Sequence, residues 1–230
     1  MIRIREIRAG ILAIDELNIP PGISAVTGQN GAGKTTLLKL LAGIIRAKTG
    51  TITVDGADIE TSRIGWVGEY PDRNILFTRV YDEIASPLRF SGECCADTES
   101  RVGMAASCLR ISHLLSREIR GLSGGEKVLV SFATAIVTKP DILILDEYDS
   151  HMDDEFCRQI DRVLDRLGVR YIIFSTHRPE RMAAADELIL MGSGRVVNQY
   201  PVPKAPDADT LLADPKFWRQ VHHYQMSAGW

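Results

Sequence analysis

The run Gly28-Gln29-Asn30-Gly31-Ala32-Gly33-Lys34-Thr35 constrains this chain more than any other eight residues. Its glycines let the backbone turn N–H groups inward. It fits GxxxxGK[ST] without a gap. GISAV before it is a short apolar strand ending at Gly28, and the stretch from Lys34 to about Ala42 after it is a helix. Leu37, Leu38, Leu40 and Leu41 mark that helix as buried, and Gly43 lies near its end. Strand, loop and helix N-terminus together make an anion cradle. The spacing predicts that Gly28, Asn30, Gly31, Ala32, Gly33, Lys34, Thr35 and Thr36 hold a nucleotide. Lys34 is expected on the β- and γ-phosphates, and the Thr35 hydroxyl on Mg²⁺.

A second feature fits the same chemistry. Asp141-Ile142-Leu143-Ile144-Leu145-Asp146-Glu147 is an apolar strand that ends in two carboxylates. Downstream of a phosphate loop, Asp146 is expected to hold Mg²⁺, directly or through water. Glu147 is expected to polarise the water that attacks the γ-phosphate.

The rest of the chain predicts an α/β fold. MIRIREI alternates apolar and charged residues, as a half-buried strand does, and GTITVDG is a strand between turns. Helices are expected near 80–90, 99–117, Gly125–Val137 and Asp154–Leu167, with buried strands at DILIL, YIIFS and ELILM. Apolar strands alternating with helices imply a mostly parallel sheet covered on both faces. Residues 70–120 carry a turn-rich start and helices, and are expected to form a helical lobe inserted in a domain of residues 1–200. Residues 201–230 form an extension with Pro201, Pro203, Pro206 and Pro215.

Composition narrows the function. The chain has 230 residues and a net charge of −3, from 27 basic and 30 acidic residues. The basic excess of a nucleic-acid binder is missing, so no nucleic-acid partner is expected. Cys94, Cys95, Cys108 and Cys157 show no CxxC pair and are expected to be free thiols. No apolar run approaches the ~18 residues of a membrane span. The start lacks the apolar core of a secretory signal.

Leu122-Ser123-Gly124-Gly125-Glu126 opens a helix about 20 residues before the acidic strand end. With the phosphate loop and the acidic strand, it closely resembles the signature of ATP-binding cassette (ABC) ATPases. Two further runs follow in that family's order. Ser150-His151-Met152-Asp153 resembles the D-loop, through Ser150 and Asp153, and Ser175-Thr176-His177 resembles the switch histidine. The resemblance covers about residues 1–200. It implies a P-loop NTPase fold of ABC type with an antiparallel β region, and an ATPase that uses ATP and Mg²⁺. It implies that Ser123, Gly124 and Gly125 contact the γ-phosphate bound to a partner subunit. It makes His177 a third catalytic residue beside Lys34 and Glu147. A serine and two glycines at a helix N-terminus do make an anion site.

The chain departs from the family at several positions. The chain has no glutamine between Gln29 and Gln159, and Glu69 stands where the Q-loop glutamine is usual. Glu69 is expected to join Thr35 and Asp146 as a metal ligand and to make the site more demanding of divalent metal. No aromatic residue precedes Trp66, so Ile11 or Arg8 is left to pack against adenine. Tyr148 and Asp149 replace the usual Pro-Thr, and Leu129 replaces an arginine after the signature.

One copy of each motif requires two chains per functional unit, as homodimer or heterodimer, with dimer closure as the power stroke. EYPDRNILFTRVYDEIASPL resembles the segment after the Q-loop in energy-coupling-factor and cobalt-type importers. The short span from Glu69 to Ser123, about 54 residues, agrees with that group. The expected role is the ATPase subunit of such a transporter, on the cytoplasmic face of the membrane and bound to an integral membrane subunit. The alternative is a soluble cassette ATPase in repair, chromosome organisation or protein assembly, toward which the LSGGE ending and Leu129 lean. Phe217, Trp218, His222, His223 and Tyr224 are expected on a small amphipathic helix that packs on the domain or on its partner, with the aromatics available for dimerisation, rather than on a metal site.

Overall fold

The computed structural model describes residues 1–70, 73–149 and 154–202. In chain order the elements are β1 (Ile2–Ala9), β2 (Leu12–Ile19), β3 (Gly22–Gly28), α1 (Lys34–Leu41), β4 (Thr49–Val54) and β5 (Ala57–Asp58). They continue with β6 (Ile64–Val67), α2 (Val80–Phe90), α3 (Cys95–Cys108), α4 (Gly124–Ile136), β7 (Ile142–Asp146) and α5 (Asp154–Leu167). The last are β8 (Tyr171–Ser175), α6 (Pro179–Ala183), β9 (Glu187–Gly192) and β10 (Arg195–Pro201). Among the described residues two compact units form, one from 1–62 with 171–202, the other from within Arg63–Arg170.

The first unit holds two sheet regions. β1 lies between β2 and β4, antiparallel to both, with β5 on the far side of β4. Ile2, Ile4 and Ile7 of β1 are fully buried, while Arg3, Arg5 and Arg8 are exposed. Ile2 to Arg5 follow strict period two, and a bulge between Arg5 and Arg8, with Glu6 at φ 53°, resets the alternation so that Ile7 still faces inward. The second region is parallel, with β3 between β8 and β9 and β10 antiparallel on the far side of β9. β3 and β8 bury almost every side chain, as strands covered on both faces must. α1 buries its four leucines and stops at Gly43, whose φ of 71° permits the left-handed turn. Gly43 N–H donates to Leu40 O and Ile44 N–H to Lys39 O, the paired bonds of a Schellman end.

The second unit pairs β6 and β7 in parallel, from Ile64 beside Ile142 to Val67 beside Leu145. Four helices complete it. α2 keeps a proline inside, at Pro87, which has no N–H for the carbonyl of Glu83. Ser86 Oγ donates to that carbonyl at 2.8 Å and fills the gap. The buried Glu83 carboxylate accepts the N–H groups of Leu76 and Phe77 at 2.9 and 2.8 Å. It thereby fixes the chain entering the helix. α3 starts earlier and ends sooner than the expected 99–117. Its end is again a Schellman motif, with Ile111 N–H on Ala106 O and Arg110 N–H on Ser107 O. Arg110 takes the left-handed position at φ 58°. Gln159 of α5 donates to Leu109 O at 3.0 Å and holds that end in place. A short 3₁₀ turn, Ser112–Leu114, stands where the longer helix was expected, and a second, Ile119–Gly121, follows it.

The segment 70–120 is helical as the sequence suggests, but compacts together with β6, β7, α4 and α5. Gly65 shows why. A Cβ there would lie 2.6 Å from the carbonyl oxygen of Ala135, so β6 is pressed directly onto the backbone of α4. Gly65→Ala should therefore destabilise the fold by about 2–3 kcal/mol. The check is the midpoint of chemical denaturation, and an unchanged midpoint would mean that this contact is looser than the geometry shows.

Candidate functional site

The phosphate loop leaves β3 at Gly28 and enters α1 at Lys34. Gly28 has φ 148°, and a Cβ on it would lie 2.2 Å from the carbonyl oxygen of Met191 in β9. Gly33, at φ 102°, is the N-cap of α1. The loop closes on itself through Ala32 N–H to Gln29 O at 3.0 Å. The Lys34 ammonium is buried within it and donates to the carbonyls of Gly28 and Gln29 at 3.1 and 3.3 Å. α1 has no side-chain cap and no acidic residue in its first turn. Its N-terminal N–H groups and partial positive charge thus face the loop without a built-in anion. This donor set fits a polyphosphate, with Thr35 and Thr36 half-buried in the first turn.

The β1–β2 turn adjoins the loop. Gly194 knits the two, since its N–H donates to Ala32 O at 2.9 Å and its carbonyl accepts Ala13 N–H at 2.8 Å. Ile11 in that turn is 55% exposed, and its Cδ1 lies 3.4 Å from where a Gly33 Cβ would stand. Arg8 points elsewhere, paired with Asp15 at 2.7 Å. Of the two residues named for the base, Ile11 is the one beside the loop.

His177 stands at the end of the strand next to β3. β3 and β8 run in register to Val26 beside Ser175, and Thr176 N–H donates to Val26 O at 3.2 Å. Thr176 Oγ1 then accepts Arg178 N–H at 3.1 Å, a tight turn that leaves the His177 side chain exposed. Pro179 at the first position of α6 suits the helix that follows.

The second unit carries the acidic set. The register that pairs Val67 with Leu145 sends Gly68-Glu69 and Asp146-Glu147 off the same end of the two strands. Asp146 is 3% exposed at the end of β7. Glu147 has φ 44°, a left-handed backbone that a non-glycine residue adopts only under constraint. The acidic neighbourhood registers on Tyr70. Its phenol is pushed above the ordinary value by a hydrogen bond to Glu69, then by the charge of Glu69, with Glu147 adding to it. Arg73 stacks 4.5 Å over the Tyr70 ring and acts in the opposite sense. Among the described residues, no group of three or more His, Cys, Asp or Glu side chains is arranged as a ready metal cage. These carboxylates fit a metal that also takes ligands from the nucleotide.

The signature begins α4. Ser123 is its N-cap and forms a capping box with Glu126. Ser123 and Gly124 are exposed, and Gly125 lies against Phe156 of α5, whose ring is 3.3 Å from where a Cβ would be. Tyr148 supplies a link that motif reading missed. Its buried ring packs edge-on against Phe132 of α4, with centroids 5.3 Å apart at 75°. This ties the residue after Glu147 to the signature helix. The aromatic Tyr148 in place of a proline was the available signal, while nothing in the sequence marks Phe156. Ser150 and Asp153 of the D-loop lie outside the described residues, as do 203–230.

The ABC transporter family profile matches residues 15–150. The chain is 31% identical over 191 residues to the energy-coupling factor transporter ATP-binding protein EcfA1 of Streptococcus agalactiae, covering 79% of this chain and 68% of that protein. It is 36% identical over 182 residues to EcfA1 of Bacillus licheniformis, covering 74% and 64%. The structure of CbiO1 from Clostridium perfringens, part of the ABC transporter complex CbiONQ, superposes with a TM-score of 0.78 at 25% identity, over 99% of this chain and 96% of that one.

Gly28→Ala tests the loop. The added methyl meets backbone, so nucleotide affinity should fall at least about ten-fold with a loss of about 2 kcal/mol in stability. Titration with a fluorescent ATP analogue and a denaturation curve read the two effects. Full affinity in the variant would contradict the close approach to Met191. One structural unit thus carries the phosphate loop with His177 at the adjoining strand end, the other an acidic strand end and the helix capped by Ser123, and the chain belongs to the ABC transporter ATP-binding family, a nucleotide-binding ATPase with the P-loop ABC fold.

Proposed function

We propose that this ATPase is the ATP-binding subunit of an energy-coupling-factor or cobalt-type importer. The set of EcfA and CbiO relatives carries this reading. The acidic start of α2 adds to it, because Glu83 holds the chain segment that resembles those importers. The soluble alternative has no comparable support among the relatives.

In this reading the N–H groups of the loop and Lys34 hold the β- and γ-phosphates, and Ile11 packs against the base. Glu147 polarises the attacking water, and His177 hydrogen-bonds the γ-phosphate. Thr35, Asp146 and Glu69 fit Mg²⁺, which when bound offsets the charge of the phosphates. Ser123, Gly124 and Gly125 meet the nucleotide of a second cassette subunit, with Ser150 and Asp153 at the same interface. The domain spans 1–200 with the helical segment 70–120 engaging an integral membrane subunit. No helix among the described residues is long and apolar enough to cross a membrane. The chain then sits peripherally, on the cytoplasmic face. With a net charge of −3, it has no nucleic-acid partner in this reading.

Two measurements test the proposal. Affinity purification of the tagged chain from detergent-solubilised native membranes should bring down a polytopic membrane protein. Recovery with soluble partners alone would overturn the transporter role. Glu69→Gln should raise the half-saturating Mg²⁺ concentration for ATP hydrolysis about three-fold or more, because a charged ligand is lost. An identical metal dependence and rate would remove Glu69 from the metal site.

A further inference from the structure

The two helix N-termini assigned to phosphate differ in one charge. α1 has no acidic residue in its first turn and no side-chain cap. α4 has Glu126 there, and the carboxylate is built into the start of the helix. Glu126 Oε2 accepts the Ser123 N–H at 2.8 Å, and the Glu126 N–H donates to Ser123 Oγ at 3.3 Å. The bond from the Ser123 backbone, then that from its side chain, holds the carboxyl below the ordinary range, and the charges of Arg117 and His113 act in the same sense. Glu126 is therefore an anion at neutral pH. A capping box needs an acceptor at this position, and a neutral glutamine serves as well as a glutamate. The negative charge adds to the helix start through the dipole, but the cap itself does not require it.

We propose that Glu126 tunes how tightly the signature grips the partner's nucleotide. Its carboxylate opposes the γ-phosphate arriving at the N-terminus of α4 and keeps the closed dimer weak enough to reopen. The proposal rests on the reading above, in which Ser123, Gly124 and Gly125 meet the nucleotide of a second subunit. Attraction comes from the Ser123 hydroxyl and from the N–H groups of Gly124 and Gly125 at the positive end of α4. Glu126 subtracts from it by like-charge repulsion at short range, in a partly exposed setting where salt screens the effect.

The test is ATP-driven dimerisation of the full chain, followed by sedimentation velocity. Glu147→Gln serves as a parent in which hydrolysis is blocked, and ATP is titrated at about 0.05 M and about 0.5 M NaCl. Adding E126Q should lower the half-saturating ATP about three- to ten-fold at low salt, and the gain should shrink below about two-fold at high salt. Glu126→Ala removes the cap along with the charge and should not match that gain. A role confined to capping predicts equal behaviour for the parent and E126Q at both salts. That result, or a weaker dimer in E126Q, overturns the proposal while leaving the reading of the signature intact. If neither protein dimerises at saturating ATP, alone or with a second cassette subunit recovered from native membranes, both the trans-acting signature and the role of Glu126 fall. Dimerisation of E126Q where the parent stays monomeric supports the proposal.

Discussion

The contact between Gly28 and the carbonyl oxygen of Met191 fixes where β3 ends and where the loop begins. With a Cβ distance of 2.2 Å, no side chain fits between β3 and β9 at that level. The chain must turn there, and the turn aims the following N–H groups inward. Gly194 repeats the device on the other side, since a Cβ on it would stand 1.9 Å from Ile11 O. Its bonds to Ala32 and Ala13 then clamp the loop to the β1–β2 turn. The position of Lys34, the exposure of Ile11 and the start of α1 all follow from these two close approaches. The parallel register of β3 with β8 then places His177 at the adjoining strand end.

The second unit solves a different problem, that of holding several carboxylates together at one strand end. Two parallel strands in register bring Glu69 and Glu147 off the same edge. The left-handed backbone at Glu147 is a local cost, and the surrounding packing sustains it. Tyr148, wedged on Phe132, anchors the next residue in the core. Because Phe132 belongs to the helix that Ser123 caps, that anchor also joins Glu147 to α4. Phe156 against Gly125 ties α5 to the same helix end.

The parts of the site that the sequence revealed are those in which backbone chemistry dictates residue type. Glycines at Gly28, Gly31 and Gly33, a capping serine at Ser123, and an apolar strand with an acidic end are demanded by local geometry, so a short window shows them. Helix boundaries were legible where a glycine marks the stop, as at Gly43. They were not legible at α3, where Arg110 fills a position that usually calls for glycine, and where Gln159, 50 residues away, secures the end. Tyr148 was visible as a departure from the family but not as an anchor, because its partner Phe132 is set by tertiary packing. The choice of Ile11 over Arg8 beside the loop likewise depends on Asp15, a cross-strand neighbour that only the register of β1 and β2 supplies.

A cassette that works in cycles needs unequal grips. The nucleotide must stay with its own subunit while the partner closes and lets go. α1 meets that need with a helix end that has no side-chain cap, a buried lysine and no acidic residue in its first turn. α4 offers the same backbone dipole, but the acceptor that completes its cap carries a full negative charge. Glutamine at this position would keep the helix start and strengthen the anion site. Glutamate keeps the helix start and weakens the anion site. The difference between the two grips then lies in one side-chain charge rather than in a different fold of the loop, and it falls on the contact that must break in every cycle.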